Sequence, residues 1–241
     1  MRIIGFDTAT DDTVVGAADG PEMVCESAQA PGEDGRPAHS EALLEAVERA
    51  ATGLGGWPRV DRIAVGVGPG TFTGLRIGIA TANGLRLAGG KPLVPVSTLA
   101  ALALTMKWGD DEPERPQLPV LDARRGEVFA ALVDPAGRFI WAPFVCSPRD
   151  LGARIAALVG RREPSPRVAG PGAIRFRDEL TRCGADVAGS AEGIHRLGGR
   201  AICVLGAGAD PAPPDTTPEP DYLRDPDAQL WLERDSPDAE T

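Results

Sequence analysis

Four clusters of residues have the types and spacing to do chemistry. Gly68-Pro69-Gly70-Thr71-Phe72-Thr73-Gly74 joins a predicted strand to a predicted helix. Its glycines allow turns closed to other residues and a close approach by neighbouring backbone. A helix start also offers free N–H groups and the positive end of the helix dipole, which suits an anion. The run lacks the Gly-Lys-Ser/Thr ending of a Walker loop, so a tight turn with no ligand is the alternative. Asp7-Thr8-Ala9-Thr10, with Asp12 nearby, ends the first predicted strand. A carboxylate and hydroxyls there suit a hydrated magnesium and a phosphate, and they equally suit a β-turn. In Asp122-Ala123-Arg124-Arg125-Gly126-Glu127 the arginines can grip a phosphate bidentately. They can also form a solvated hairpin whose ion pairs contribute under ~1 kcal/mol each. The candidate nucleotide- or anion-binding set is therefore Asp7, Thr8, Thr10, Gly68, Gly70, Thr71 and Arg124.

The fourth cluster is a stripe. Gly74, Gly78 and Ala82 recur at four-residue steps, flanked by Leu75, Ile79 and Leu85. A small residue at every turn lets another helix approach closely. The stripe serves either packing within the chain, perhaps on the preceding helix, or a partner-docking face shared with that helix. The second reading takes Ser40, Leu43, Val47, Ala50, Gly74, Leu75, Gly78, Ile79 and Ala82 as the interface.

Other chemistries find little support. The histidines are His39 and His195, with no His-x-x-x-His and no His-Glu-x-x-His, so no histidine metal site is expected. There is no Gly-x-Ser-x-Gly for a serine triad. Cys25, Cys146, Cys183 and Cys203 are widely and irregularly spaced without a Cys-x-x-Cys pair. They read as reduced thiols of a cytoplasmic protein.

The elements that must position these residues follow from hydrophobic period and turn chemistry. Arg2 to Thr8, Thr13 to Ala18 and Glu22 to Ala28 read as a three-stranded meander. A helix opens near Ser40 as N-cap, with Leu43, Val47, Ala50 and Leu54 on one face. Arg62 to Val67 is a strand, Leu75 to Ala88 a helix, and Pro92 to Val96 a strand. Ser97 or Thr98 caps a helix ending near Met106. Past a charged, proline-containing boundary come strands at Leu118 to Asp122, Val128 to Val133 and Phe139 to Val145. Helices follow at Pro148 to Gly160 and Ala173 to Cys183, while Ala201 to Ala207 fits strand or helix. The expected division is an N-terminal lobe over 1–106, a C-terminal lobe over 107–224 that is reduced across 184–200, and a disordered tail over 225–241.

The 241 residues suffice for one large domain or two small ones. No stretch approaches the ~20 apolar residues of a membrane span, and Asp7 interrupts the place of a signal-peptide core. The formal net charge of −10 makes the chain a poor holder of RNA by itself.

An ordered set of segments resembles the TsaB family, also called YeaZ. They are Ile3-Ile4-Gly5-Phe6-Asp7-Thr8, His39-Ser40-Glu41-x-Leu43-Leu44, Val65 to Gly78, Pro95-Val96-Ser97-Thr98-Leu99, Asp122 to Val128, and Pro220-Asp221-Tyr222-Leu223-Arg224. The resemblance implies an α/β actin/Hsp70/sugar-kinase fold of two related lobes, each a mixed sheet with packed helices. It implies a non-catalytic scaffold that activates a TsaD-like transferase, joined by a TsaE-like ATPase. Such an assembly places threonylcarbamoyl on the adenosine next to the anticodon in tRNAs reading codons that begin with A. ATP and a divalent metal belong to the partner complex, tRNA is met only through it, and the partner face is made by the two N-lobe helices. The same helices could support a homodimer. TsaD-like enzymes carry a metal-binding His-x-x-x-His where this chain has Thr98 and Leu102. The alternatives are an ATP-dependent phosphotransferase of this fold, for which Asp7 is the main support, and a metallo-glycopeptidase, which the missing ligands oppose.

Overall fold

The computed structural model describes residues 1–112, 114–160, 165–214 and 216–224. The tail expected over 225–241 lies outside them. The first sheet is built from β1 (Arg2–Asp7), β2 (Thr13–Asp19), β3 (Glu22–Gln29), β4 (Arg62–Gly68) and β5 (Leu93–Ser97) in the order β3-β2-β1-β4-β5. The first three strands are the expected antiparallel meander, and β4 and β5 join in parallel. The parallel part needs crossovers, supplied by α1 (His39–Gly53) and α2 (Phe72–Gly89).

The second sheet repeats the plan. It contains β6 (Gln117–Arg124), β7 (Glu127–Val133), β8 (Phe139–Cys146), β9 (Arg167–Ala169) and β10 (Asp186–Val187), ordered β10-β9-β6-β7-β8. The meander is β6-β7-β8, and β9 and β10 add in parallel. The second lobe therefore keeps all five strands, although its last is two residues long.

Burial explains the strand sequences. In β1, Ile4 and Phe6 point into a core shared with α1 and α2, while Ile3 points into a core on the opposite face. Both faces are covered, so the strand reads as a continuous apolar run. The opposite-face core holds α3 (Thr98–Trp108) and α7 (Gly199–Gly208), which pack between the two sheets. Residues of both lobes meet there, among them Leu99, Leu102, Leu121, Phe129 and Ile202. The outer face of the second sheet is covered by α4 (Pro148–Val159), α5 (Pro171–Arg175) and α6 (Arg177–Arg182). The chain returns at its end: α7 follows the second sheet in sequence yet packs on β1 and β2 of the first.

Several local expectations change. Ser40 lies inside α1, whose N-cap is Ala38 without a side-chain cap. Thr71 caps α2 three residues earlier than expected, its hydroxyl accepting from Gly74 N. Ser97, not Thr98, caps α3. The helix expected over 173–183 divides at Phe176 into α5 and α6. The undecided segment over 201–207 is helix, apolar on most sides because it lies between sheets.

Candidate functional site

The glycine turn, the Asp7–Thr10 loop and the start of α3 meet in one hydrogen-bonded knot. Asp7 is fully buried. One carboxylate oxygen accepts from Ala9 N at 2.6 Å, and the other accepts from Thr98 Oγ1 at 2.7 Å. Thr98 Oγ1 also accepts from Gly68 N at 3.2 Å. Thr71 N donates to Ala9 O at 2.8 Å, and Thr8 Oγ1 donates to Gly74 O at 2.7 Å. Burial pushes the Asp7 carboxyl up from its ordinary range, against the pull of its bonds from Thr98 and Ala9. Of the candidate anion-binding residues, Asp7, Thr8, Gly68, Gly70 and Thr71 are thus brought together, and Asp7, Thr8, Gly68 and Thr71 are hydrogen-bonded through Ala9, Gly74 and Thr98. Thr98 is the side-chain donor that holds Asp7.

The glycines of this knot are needed for close approach. A Cβ on Gly66 would lie 1.8 Å from Asp7 Oδ2, and one on Gly70 would lie 2.3 Å from Ala9 O. The turn packs against the Asp7–Thr10 loop rather than standing open.

Thr10 and Arg124 line a cleft of about 230 Å³ between the lobes, which Gly70 and Thr71 of the turn also line, with Asp11, Asp12, Asp122 and Arg196 on its walls. This is smaller than the ~300–1,000 Å³ typical of ligand pockets. Its charges are paired. Arg124 meets Asp11 across the cleft at 2.5 Å, Arg196 meets Asp12 at 2.8 Å, and Arg175 meets Asp122 at 2.6 Å. The hairpin carrying Arg124 turns tightly, with φ of 63° at Arg124, 52° at Arg125 and 80° at Gly126. Arg124 N donates to Asp122 Oδ1 at 2.8 Å, which holds the unusual backbone in place.

Both histidines are buried. His195 Nδ1 accepts from Gly170 N at 3.1 Å, and its Nε2 faces the Ala188 and Gly189 carbonyls. This pins the turn after β9. His39 Nδ1 pairs with Thr13 Oγ1 at 2.8 Å, and burial lowers the proton affinity of its ring. Among the described residues, no three His, Cys, Asp or Glu side chains are grouped to hold a metal. All four cysteines are unpaired, and burial pushes the Cys203 thiol up to about 12.

The expected partner face is corrected by burial. Leu43, Val47 and Ala50 of α1, and Gly74, Leu75, Gly78, Ile79 and Ala82 of α2, all face inward. The apolar side chains among them pack with Ile4, Phe6 and Val65 beneath the sheet or with its turn. The small-residue stripe exists to admit Thr8: a Cβ on Gly78 would lie 2.5 Å from Thr8 Oγ1, and one on Gly74 would lie 1.8 Å from Thr8 O. Only Ser40 of that set is exposed. A second stripe two residues on, Arg76-Ala80-Gly84, faces outward and ends at Leu87. On this outer side lie Leu44 (58% exposed), Phe72 (42%) and Leu87 (69%).

One cluster was not foreseen. Phe72 stacks on Tyr222 with ring centroids 5.5 Å apart, and the Arg76 guanidinium lies 3.7 Å above the Phe72 ring. Arg76 Nε donates to Tyr222 Oη at 3.2 Å. The partners are 146 residues apart, so no periodicity signals the contact.

Two layered lobes with matching meanders and parallel additions define a protein of the actin/Hsp70/sugar-kinase fold. Solved structures agree. YeaZ from Pseudomonas aeruginosa superposes with a TM-score of 0.73 at 23% identity, covering 92% of this chain and 99% of that one. A second Pseudomonas aeruginosa structure, described as an uncharacterized protein with similarity to peptidase YEAZ, gives 0.71 at 24% over the same shares. A ROK hexokinase from Thermus thermophilus gives 0.50 at 17%, over 84% and 97%. The sequence profile of TsaD, tRNA N6-adenosine threonylcarbamoyltransferase, matches residues 32–140. The tRNA threonylcarbamoyladenosine biosynthesis protein TsaB of Escherichia coli is 34% identical over 142 residues, 58% of each chain. That of Haemophilus influenzae is 32% identical over 124 residues, 46% of this chain and 52% of its own. The chain thus spans a little over half the length of these relatives. Over that part it is similar to proteins of the TsaB/YeaZ kind.

Proposed function

We propose that this chain is a scaffold subunit of the machinery that makes N6-threonylcarbamoyladenosine in tRNA. It docks a TsaD-like transferase through the outer face of α1 and α2. The carrying observation is the division of labour across those helices. Their inner faces are spent on the chain's own core, yet Leu44 of α1 and Phe72 and Leu87 of α2 remain exposed, with Arg76, Ala80 and Gly84 along α2 between the last two. Exposed apolar side chains beside small residues of low profile suit a closely packed partner.

The interior supports a role without independent catalysis. Asp7, the one carboxylate that a phosphotransferase reading relies on, is committed to Thr98 and Ala9 N. The cleft arginines are committed to aspartates. ATP, a divalent metal and a TsaE-like ATPase are assigned to the partner complex, and its place is the cytoplasm. tRNA is reached through the partner, since a chain of net charge −10 repels a polyanion. Without the partner, the same face supports a homodimer.

The test mixes the purified chain with a TsaD-like transferase, a TsaE-like ATPase, ATP, the threonylcarbamoyl donor and unmodified tRNA, omitting one protein at a time. Modification should require this chain together with the transferase. Modification or ATP turnover by this chain alone would overturn the scaffold reading in favour of an active phosphotransferase-type enzyme.

A further inference from the structure

The segment 220–224 touches both lobes, and each end is held by polar contacts. Asp221 N donates to Val67 O at 2.8 Å, at the end of β4. Tyr222 stacks on Phe72 and accepts from Arg76, both on the first turns of α2. Leu223 packs on the core between the sheets. Arg224 then crosses to the second lobe, donating to Ala123 O at 3.1 Å and pairing with Glu127. Ala123 and Glu127 flank the same hairpin whose Arg124 reaches back to Asp11. The hairpin is thus tied at two points, through its own Arg124 to Asp11 of the first lobe and through Arg224 to the segment anchored on that lobe.

This arrangement sets Tyr222 at the end of the outer face described above. Phe72 and Tyr222 are each about 40% exposed, so a partner covering the start of α2 covers both rings. We propose that the docking surface extends from α2 onto Tyr222. We further propose that residues 220–224 form a strap through which seating of the transferase steadies the Asp122–Glu127 hairpin and the cleft behind it. Arg224 is the positioning residue: it touches no part of the outer face, yet it ties Tyr222 to the second lobe. The inference rests on the docking reading given above. Linkage makes the effect reciprocal. If partner binding steadies the hairpin, loosening the hairpin end of the strap weakens partner binding.

The test compares wild type, Arg224→Ala and Glu127→Gln. Calorimetric titration with the TsaD-like transferase gives the affinity, and hydrogen exchange follows the amides of residues 122–127 with and without it. Circular dichroism melting establishes that each variant is folded. Glu127→Gln keeps the Arg224 bond to Ala123 O, so it carries the test if Arg224→Ala does not fold. The expected result is a loss of affinity of about fivefold or more in the variants, with partner-induced protection of 122–127 in wild type alone. Wild-type affinity and protection in the folded variants would overturn the strap while leaving the docking reading standing. Failure of wild type to bind the transferase would overturn both.

Discussion

Replacing glycines of α2 by alanine, one at a time, separates its inward and outward sides. Gly84 lies in the helix on the outer side, and a Cβ there meets nothing within 4 Å. Alanine restricts the unfolded chain and favours helix, so Gly84→Ala should stabilise by ~0.5–1 kcal/mol. Gly78 has the same helical gain, but its Cβ would lie 2.5 Å from Thr8 Oγ1. Thr8 would have to rotate and give up its buried bond to Gly74 O, worth ~0.5–1.5 kcal/mol. Overpacking adds ~1–3 kcal/mol. The net expectation for Gly78→Ala is a loss of ~1–3 kcal/mol. Gly74→Ala should cost more, since its Cβ would lie 1.8 Å from a backbone oxygen, Thr8 O, which no rotamer change can move. Gly78→Arg should therefore fail to fold rather than merely lose a partner. Urea unfolding of the three alanine variants, read as midpoint and slope, ranks them. Equal stability of Gly78→Ala and Gly84→Ala would refute the placement of the inner stripe against Thr8.

Two further perturbations test the interior. Burial alone would raise the Asp110 carboxyl, but hydrogen bonds from Arg115, Gln117 and Glu112 N bring it down to about 2. A folded-state value below the unfolded one stabilises the fold above pH ~4, and that stability fades as pH falls from ~4 through ~2. The contribution, ~1–2 kcal/mol after solvent screening, should disappear from the pH dependence of unfolding in Asp110→Asn; an unchanged acid limb would refute it. Asp7→Ala leaves Ala9 N and the Thr98 hydroxyl without their buried acceptor. At ~1–3 kcal/mol per orphaned group, partly offset by relief of burying a carboxylate, the loss should be ~2–4 kcal/mol in thermal unfolding, and a melting temperature equal to wild type would refute the knot.

Much of the frame is legible in the sequence because its signals are local. The strand–turn–helix unit at Val65 to Gly78 is marked by β-branched residues, then glycines, then a helical period. The faces of α1 and α2 were also readable, but not what each face meets. Leucine and valine at three- and four-residue steps identify a packed side, and the sheet beneath claims that side first. Glycine and alanine are ambiguous in a further way. They permit close approach from either direction, so Gly74-Gly78-Ala82 and Arg76-Ala80-Gly84 look alike until Thr8 is placed. The segment over 201–207 carries no deciding period because a helix between two sheets loses its polar face. Tyr222, Arg224 and the arginine pairs of the cleft depend on contacts between residues 53 to 184 apart in sequence. They carry no period at all.

The central claim is that the outer faces of α1 and α2, and not the inner stripe, receive the transferase. Calorimetric titration of a TsaD-like partner into Leu44→Arg and Ala80→Arg tests it most directly. Both positions are exposed, so unfolding free energies should stay within ~0.5 kcal/mol of wild type. Affinity should fall at least tenfold in each, a loss of ~1.4 kcal/mol or more. Wild-type affinity in both folded variants would contradict the claim.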